Sequence, residues 1–97
     1  MTNPRIYNLD YNTTFQKAIS VAAQCFEIEE SNPTKGYIKC KTKASLLSWG
    51  ENILIEIQTV GKEKTKITID SSPSAQVFDW GKSKSNIDIF FKRFEAE

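Results

Sequence analysis

The sequence predicts a two-layer α+β domain, with two helices on one face of an antiparallel sheet of about four or five strands. Two segments have apolar residues at helical spacing, and the segments between them alternate apolar and polar residues as half-buried strands do. Gly, Pro and Asn mark turns between the alternating segments, a pattern typical of an antiparallel meander. The predicted order is β-α-β-β-β-β-α, within one domain that spans residues 1–97.

A short β-like stretch at residues 5–9 precedes the first predicted helix, at residues 12–26. Thr13 and Gln16 fit a capping box, because the hydroxyl and the amide can each satisfy a free backbone N–H at a helix start. Five apolar residues at i, i+3, i+4, i+7 and i+11 form one face of this helix: Phe15, Ala18, Ile19, Ala22 and Phe26.

The middle of the chain predicts four strands. Asn32-Pro33 begins a turn between the first two, and Gly36 can supply a positive φ near its end. Alternation then predicts which side chains of the next three strands point towards the core and which point away from it. The inward residues are Ile38, Cys40, Thr42 and Ala44, then Ile53, Ile55 and Ile57, and finally Ile67 and Ile69. The outward residues are Lys39, Lys41 and Lys43, then Glu56 and Gln58, and finally Lys66, Thr68 and Asp70. Residues 60–63 turn the chain, and residues 71–76 are predicted to be a loop because Pro73 lies among small polar residues.

The last predicted element is a helix from near Lys82 to Glu95. Its apolar stripe has the spacing i, i+3, i+4 and i+7 and consists of Ile87, Phe90, Phe91 and Phe94. Burying these four side chains contributes roughly 6–10 kcal/mol before chain entropy is counted. This helix is therefore expected to form part of the core.

Composition argues against enzymatic chemistry, metals and cofactors. The chain has no histidine, which is the commonest general base and zinc ligand. Its two cysteines, Cys25 and Cys40, are expected to be free and buried in a reducing compartment. Five glutamates are expected to be solvated strand residues rather than an acid/base pair: Glu27, Glu29, Glu30, Glu51 and Glu56.

Charge and hydropathy predict a cytoplasmic protein without a membrane span. Thirteen basic and twelve acidic residues give a net charge of +1, so nucleic-acid binding is disfavoured unless it uses a local patch. No segment approaches the roughly 20 apolar residues of a membrane helix, and the first residues do not resemble a signal peptide.

Two surfaces are candidate binding sites. The first is the outward sheet face, where basic and aromatic residues could contact phosphates and stack on bases: Tyr37, Lys39, Lys41 and Lys43. The second is the start of the last helix, where free N–H groups could bind an anion beside Trp80, Lys82, Ser83 and Lys84. Gly81-Lys82-Ser83 matches the end of a Walker A loop, but Gln76 occupies the position of its first glycine. Asp79, Ser83 or Ser85 acting only as a helix cap is the favoured interpretation.

Two Trp-Gly dipeptides stand before different elements, Trp49-Gly50 before a strand and Trp80-Gly81 before a helix, so they are not a repeat. From an aromatic-Gly corner through Asp79-x-Gly81 to Ile87 and Phe90, the second half resembles a family of small uncharacterised bacterial domains, some carried by lipoproteins. The chain departs from that pattern at Ser83, Ser85 and Asn86, where relatives have asparagine and arginines. The resemblance implies the fold and a structural role for Trp49, Gly50, Asp79 and Gly81, and it carries no activity.

These observations favour a non-enzymatic binding or protein-interaction module, with a protein or a small ligand between sheet and helices as its partner. The alternative is nucleic-acid or anion binding through the lysine-lined sheet face or the start of the last helix. A third hypothesis is a structural subunit that dimerises through a sheet edge, so the chain is expected to be a monomer or a homodimer.

Overall fold

The computed structural model describes residues 2–42, 51–73 and 82–96. They form seven elements in the predicted order β-α-β-β-β-β-α, which confirms the fold class. The elements are β1 (Thr2–Tyr7), α1 (Tyr11–Cys25), β2 (Glu27–Asn32), β3 (Tyr37–Lys41), β4 (Glu51–Gly61), β5 (Lys64–Pro73) and α2 (Lys82–Ala96).

All five strands belong to one antiparallel sheet, in the order β1-β5-β4-β3-β2. The strands β2 to β5 form the predicted meander, and β1 lies at the edge beside β5. In the centre of the sheet, Leu54 of β4 lies opposite Lys39 of β3 and opposite Asp70 of β5. This register decides which side chains are neighbours on each face.

Both helices contact each other and pack on the same face of the sheet. The predicted alternation is confirmed, because Ile55, Ile67 and Ile69 are fully buried while their chain neighbours point away from the helices. The predicted stripe of α2 is confirmed too, since its four side chains are at most 1% exposed: Ile87, Phe90, Phe91 and Phe94. The core therefore lies between one sheet face and two helices.

The turn between β2 and β3 follows the predicted chemistry. The Asn32 side-chain oxygen accepts hydrogen bonds from the backbone N–H groups of Thr34 and Lys35, at 3.0 and 2.9 Å. Gly36 has a φ of +77°, as predicted, and its carbonyl accepts a hydrogen bond from the backbone N–H of Ile57 at 2.8 Å. A Cβ at Gly36 would lie 2.4 Å from the Ile57 carbonyl oxygen, so a side chain does not fit there.

The predicted capping box of α1 is wrong. The helix begins at Tyr11, and its N-cap is Asp10, whose carboxylate accepts a hydrogen bond from the backbone N–H of Thr13 at 3.0 Å. An ionised carboxylate is a stronger acceptor for a helix N-terminus than a hydroxyl. Thr13 therefore acts as a donor within the first turn.

Three predicted boundaries also differ. Val60 and Gly61 of the predicted turn at residues 60–63 belong to β4, because Gly61 pairs with Lys64 of β5. Residues 71–73 of the predicted loop continue β5, because they pair with the first residues of β4. The first strand begins earlier than predicted, at Thr2, and ends at Tyr7, because its pairing with β5 runs from Thr2–Asp70 to Tyr7–Thr65. In each case, pairing with a neighbouring strand overrides weak local propensity.

Candidate functional site

The face of the sheet opposite the helices is the candidate functional site, and we call it the open face. It is formed by the outward residues of the strands, which alternate with the buried ones. Its central residues are Tyr37, Lys39 and Lys41 on β3, Asn52, Leu54, Glu56 and Gln58 on β4, Lys66, Thr68, Asp70 and Ser72 on β5, and Pro4 and Ile6 on β1.

The lysines that were predicted to form a basic strip share this face with carboxylates. Lys41 lies 3.6 Å from the Glu29 carboxylate, and both side chains are about half exposed. The Tyr37 hydroxyl donates a hydrogen bond to Glu30, which raises the pKa of Tyr37. Lys39 lies 5.6 Å from the centre of the Tyr37 ring, a cation–π contact. The structure thus places Tyr37, Lys39 and Lys41 together, but the acidic neighbours on β2 offset their charge.

A shallow hollow lies over the middle of the open face. Its volume is about 220 Å³, and the half-buried Leu54 is among the residues that line it. Lys39 and Asp70 flank Leu54 on the neighbouring strands, and Asn52 and Ser72 are short side chains in the next row. The centre of the face therefore combines an accessible apolar group with one cation and one anion.

In the edge strand β1, polar side chains point towards the helices and an aliphatic side chain points away from them, the reverse of the other strands. Arg5 and Tyr7 point towards the helices, where the guanidinium lies 4.4 Å from the Phe91 ring centre and both side chains hydrogen-bond Glu95. The aliphatic Ile6 points to the open face instead and is 60% exposed. No site residue was predicted on β1, although the alternation of polar and apolar residues in this strand was the available signal.

The two sheet edges do not favour pairing with a further strand. On one edge, β1 carries Pro4, which lacks a backbone N–H. On the other edge, β2 has an irregular register between Ile28 and Glu30 and exposes Glu27 and Glu29. Proline, bulges and charges on edge strands are the usual devices that prevent edge-to-edge association. These features disfavour the hypothesis of dimerisation through a sheet edge.

The second predicted site is described only in part. Lys84 is exposed on the first turns of α2, and Lys82 and Ser83 lie at the helix start. The other predicted residues of the two sites and of the Trp-Gly corners lie outside the described residues: Lys43, Trp49, Gly50, Asp79, Trp80 and Gly81. Anion binding at this helix start stays a prediction.

The prediction that all five glutamates are solvated is wrong for Glu51. Glu51 is only 4% exposed, because it has the same strand phase as Ile53 and Ile55 and so faces the helices. Its carboxylate accepts a hydrogen bond from the Ser71 hydroxyl at 3.1 Å, and the Asn86 amide reaches that hydroxyl at 3.5 Å. The strand phase could have identified Glu51, whereas the other four glutamates are exposed as predicted: Glu27, Glu29, Glu30 and Glu56.

Both cysteines are free thiols, Cys25 half-buried and Cys40 buried. Burial, with a smaller contribution from Glu29, raises the pKa of Cys40 to about 12, so this thiol is protonated at neutral pH. In residues 2–42, 51–73 and 82–96, no three His, Cys, Asp or Glu side chains form a group that could hold a metal ion. Neither described helix has the length and apolar character needed to cross a membrane.

No protein-family model matches the chain, and no curated protein matches it in sequence. The fold is similar to the crystal structure of an uncharacterized protein from Bacillus thuringiensis, with a TM-score of 0.62 over 99% of this chain and 93% of that one. The two sequences are 9% identical, so the similarity concerns the fold. It agrees with the resemblance to small uncharacterised bacterial domains.

Proposed function

We propose that the chain is a non-enzymatic binding module that holds a protein partner on the open face of its sheet. The observation that carries the proposal is the composition of this face. It is not covered by either helix, and it presents the exposed Ile6 and the hollow at Leu54 among charges of both signs. A protein interface typically combines an apolar centre with a polar rim.

The charge of the open face favours a protein over a nucleic acid. Binding of a polynucleotide depends on lysines and arginines that replace counterions at the phosphates. Here the lysines of β3 are next to Glu29 and Glu30, and Glu56 and Asp70 lie on the following strands. A backbone of phosphates would be repelled by these carboxylates, whereas a protein surface can offer charges of both signs.

The reactive groups of the described residues support binding rather than catalysis. The Cys40 thiol is buried beneath the sheet and protonated at neutral pH, so it is a poor nucleophile. The Glu51 carboxylate is buried on the helix side and bonded to Ser71, away from the open face. Both side chains have the strand phase of the buried core residues, whereas the Leu54 side chain lies on the open face.

Site-specific photo-crosslinking in cells tests this proposal. A photoreactive amino acid replaces Thr68 on the open face, and a matched variant carries it at Gln16, an exposed position of α1. We expect a protein to be crosslinked from position 68 and not from position 16. The purified partner should bind the wild-type domain and lose at least about tenfold in affinity for Leu54→Glu.

Two results would contradict the proposal. The first is crosslinking from position 16 alone, or binding that Leu54→Glu does not change. The second is an NMR titration with single-stranded RNA in which the amides of Tyr37, Lys39 and Lys41 shift at low salt and return at high salt. That salt dependence is the signature of phosphate contacts and would favour a nucleic-acid partner.

A further inference from the structure

We infer that the partner of the open face is a second copy of this chain, related to the first by a two-fold axis that runs parallel to β4, midway between the two facing sheets. The inference rests on the proposed function and names its partner. The order and the register of the central strands carry it, because they make the face complementary to itself. Most soluble oligomers are homo-oligomers, and two-fold dimers with a self-complementary interface are the commonest kind.

The central row of the open face consists of Lys39, Leu54 and Asp70, on three adjacent strands. Neighbouring strands are about 4.8 Å apart, so a cation and an anion lie at roughly equal distances on either side of an apolar residue. Rotation about this axis places β3 of the second copy over β5 of the first, and β5 of the second copy over β3 of the first. Lys39 then faces Asp70 of the second copy, Asp70 faces its Lys39, and the two Leu54 side chains meet at the axis.

The rows on either side of the centre fit the same axis in all but one position. In one row, Lys41 would face Ser72 of the second copy, and Asn52 would meet its own counterpart. In the other, Tyr37 would face Thr68, a pair without charge conflict. The exception is Glu56, which lies on β4 and would meet the Glu56 of the second copy. Like charges at an interface weaken it, so this arrangement predicts that neutralising Glu56 strengthens association.

The size of the face suits a dimer. Five strands at about 4.8 Å spacing and roughly 3.3 Å per residue project about 600 Å² onto the plane of the sheet. This projected area approaches the roughly 800 Å² of accessible surface that each partner buries in a standard interface. Aligned packing of two sheets about 10 Å apart needs the strands of both to run within about 30° of each other, which an axis along β4 provides. The proline of β1 and the bulge of β2 leave the face, rather than an edge, as the route to association.

Sedimentation equilibrium of the full chain, from about 1 μM to about 1 mM, tests this arrangement. We expect a monomer–dimer equilibrium that is weakened at least about tenfold by Lys39→Asp and by Asp70→Lys, because each places like charges opposite each other. The double variant with both changes should restore association to within about threefold of wild type, because it reverses both charges of each pair and so keeps opposite charges facing each other. Leu54→Glu should be monomeric, and Glu56→Gln should dimerise more tightly than wild type.

A matched control is Lys62→Asp, which makes the same charge reversal in the turn between β4 and β5 and should leave the equilibrium unchanged. Circular dichroism establishes that each variant is folded, and Glu56→Gln, a conservative change, tests the geometry even if a charge reversal unfolds the chain. A wild-type monomer at about 1 mM, or a dimer that neither Lys39→Asp nor Glu56→Gln alters, would overturn the inference. If a different protein is then crosslinked from position 68, the proposed function still stands. If no protein is crosslinked from that position, both the inference and the proposed function fail.

Discussion

The two faces of the sheet are made by alternate residues of the same strands, yet they are held by different forces. On the covered face, Ile55, Ile67 and Ile69 are fully buried against the helices, so close packing determines their positions. On the open face, Leu54 and Asp70 are paired across β4 and β5 and lie outside the core between the sheet and the helices. One face of each strand therefore specifies the fold, and the other is free to specify a partner.

The largest expected contrast compares two adjacent residues of β4. Ile55→Ala should lower the free energy of unfolding by about 2–5 kcal/mol, because it removes buried methyl groups and leaves a cavity. Leu54→Ala should cost less than about 1 kcal/mol in the isolated chain, because Leu54 is only half-buried. Urea unfolding of both variants at low concentration measures the difference. Equal losses would mean that the open face is also packed against something.

A second contrast uses two glutamates of the same strand. Glu51→Ala should lower the free energy of unfolding by about 1–3 kcal/mol, because it leaves the buried Ser71 hydroxyl without its carboxylate acceptor. Glu56→Ala on the open face should stay within about 0.5 kcal/mol of wild type. Thermal unfolding of the two variants measures this difference in stability. A neutral Glu51→Ala would show that the buried polar cluster does not stabilise the fold.

The covered face could be predicted from the sequence because periodicity reports burial directly. The stripe from Ile87 to Phe94 and the alternation from Ile53 to Ile57 both gave the correct inward residues. The N-cap at Asp10 and the strand pairing of Ser71 were missed. Both depend on a choice between several polar residues that can make similar local hydrogen bonds, and only the folded chain makes that choice.

The open face could be predicted only in part. The alternation predicted that Tyr37, Lys39 and Lys41 share a face, and it placed Glu56 and Asp70 on that face as well. It could not predict that Lys39, Leu54 and Asp70 form one row, because register between strands depends on turn geometry and bulges. It also could not predict that β1 lies beside β5, which turns Ile6 towards solvent on this face.

A third prediction compares the protection of the two thiols. Cys40 lies on the covered side of β3 between two open-face lysines, and burial raises its pKa to about 12. Cys25 is half-buried at the end of α1, beside a groove of about 470 Å³ that Ile89 and Ala96 also line. A small thiol reagent should therefore modify Cys25 rapidly in the folded protein and Cys40 only slowly, whereas both cysteines should react rapidly in urea. Mass spectrometry identifies the modified residue, and rapid modification of Cys40 would indicate that β3 opens readily.

The smallest expected effect is the change in stability at acid pH. It involves two carboxylates of the helices, Asp10 at the N-cap of α1 and Glu95 in α2. Hydrogen bonds from Tyr7 and Arg5 lower the pKa of Glu95, and those from Thr13 lower the pKa of Asp10. A carboxyl group whose pKa is lowered by folding stabilises the folded state above its unfolded pKa of about 4, and this contribution is lost as the pH falls through the folded pKa.

The double variant Asp10→Asn and Glu95→Gln should therefore be less stable than wild type at pH 7 and should lose less stability between about pH 5 and pH 2. Both carboxylates are exposed, so the difference should be modest and should shrink as salt is added. Thermal unfolding across this pH range measures it. If the variant and the wild type lose stability in parallel, acid acts instead on carboxylates elsewhere, and the open face with its pairs at Glu29 and Glu30 becomes the next place to substitute.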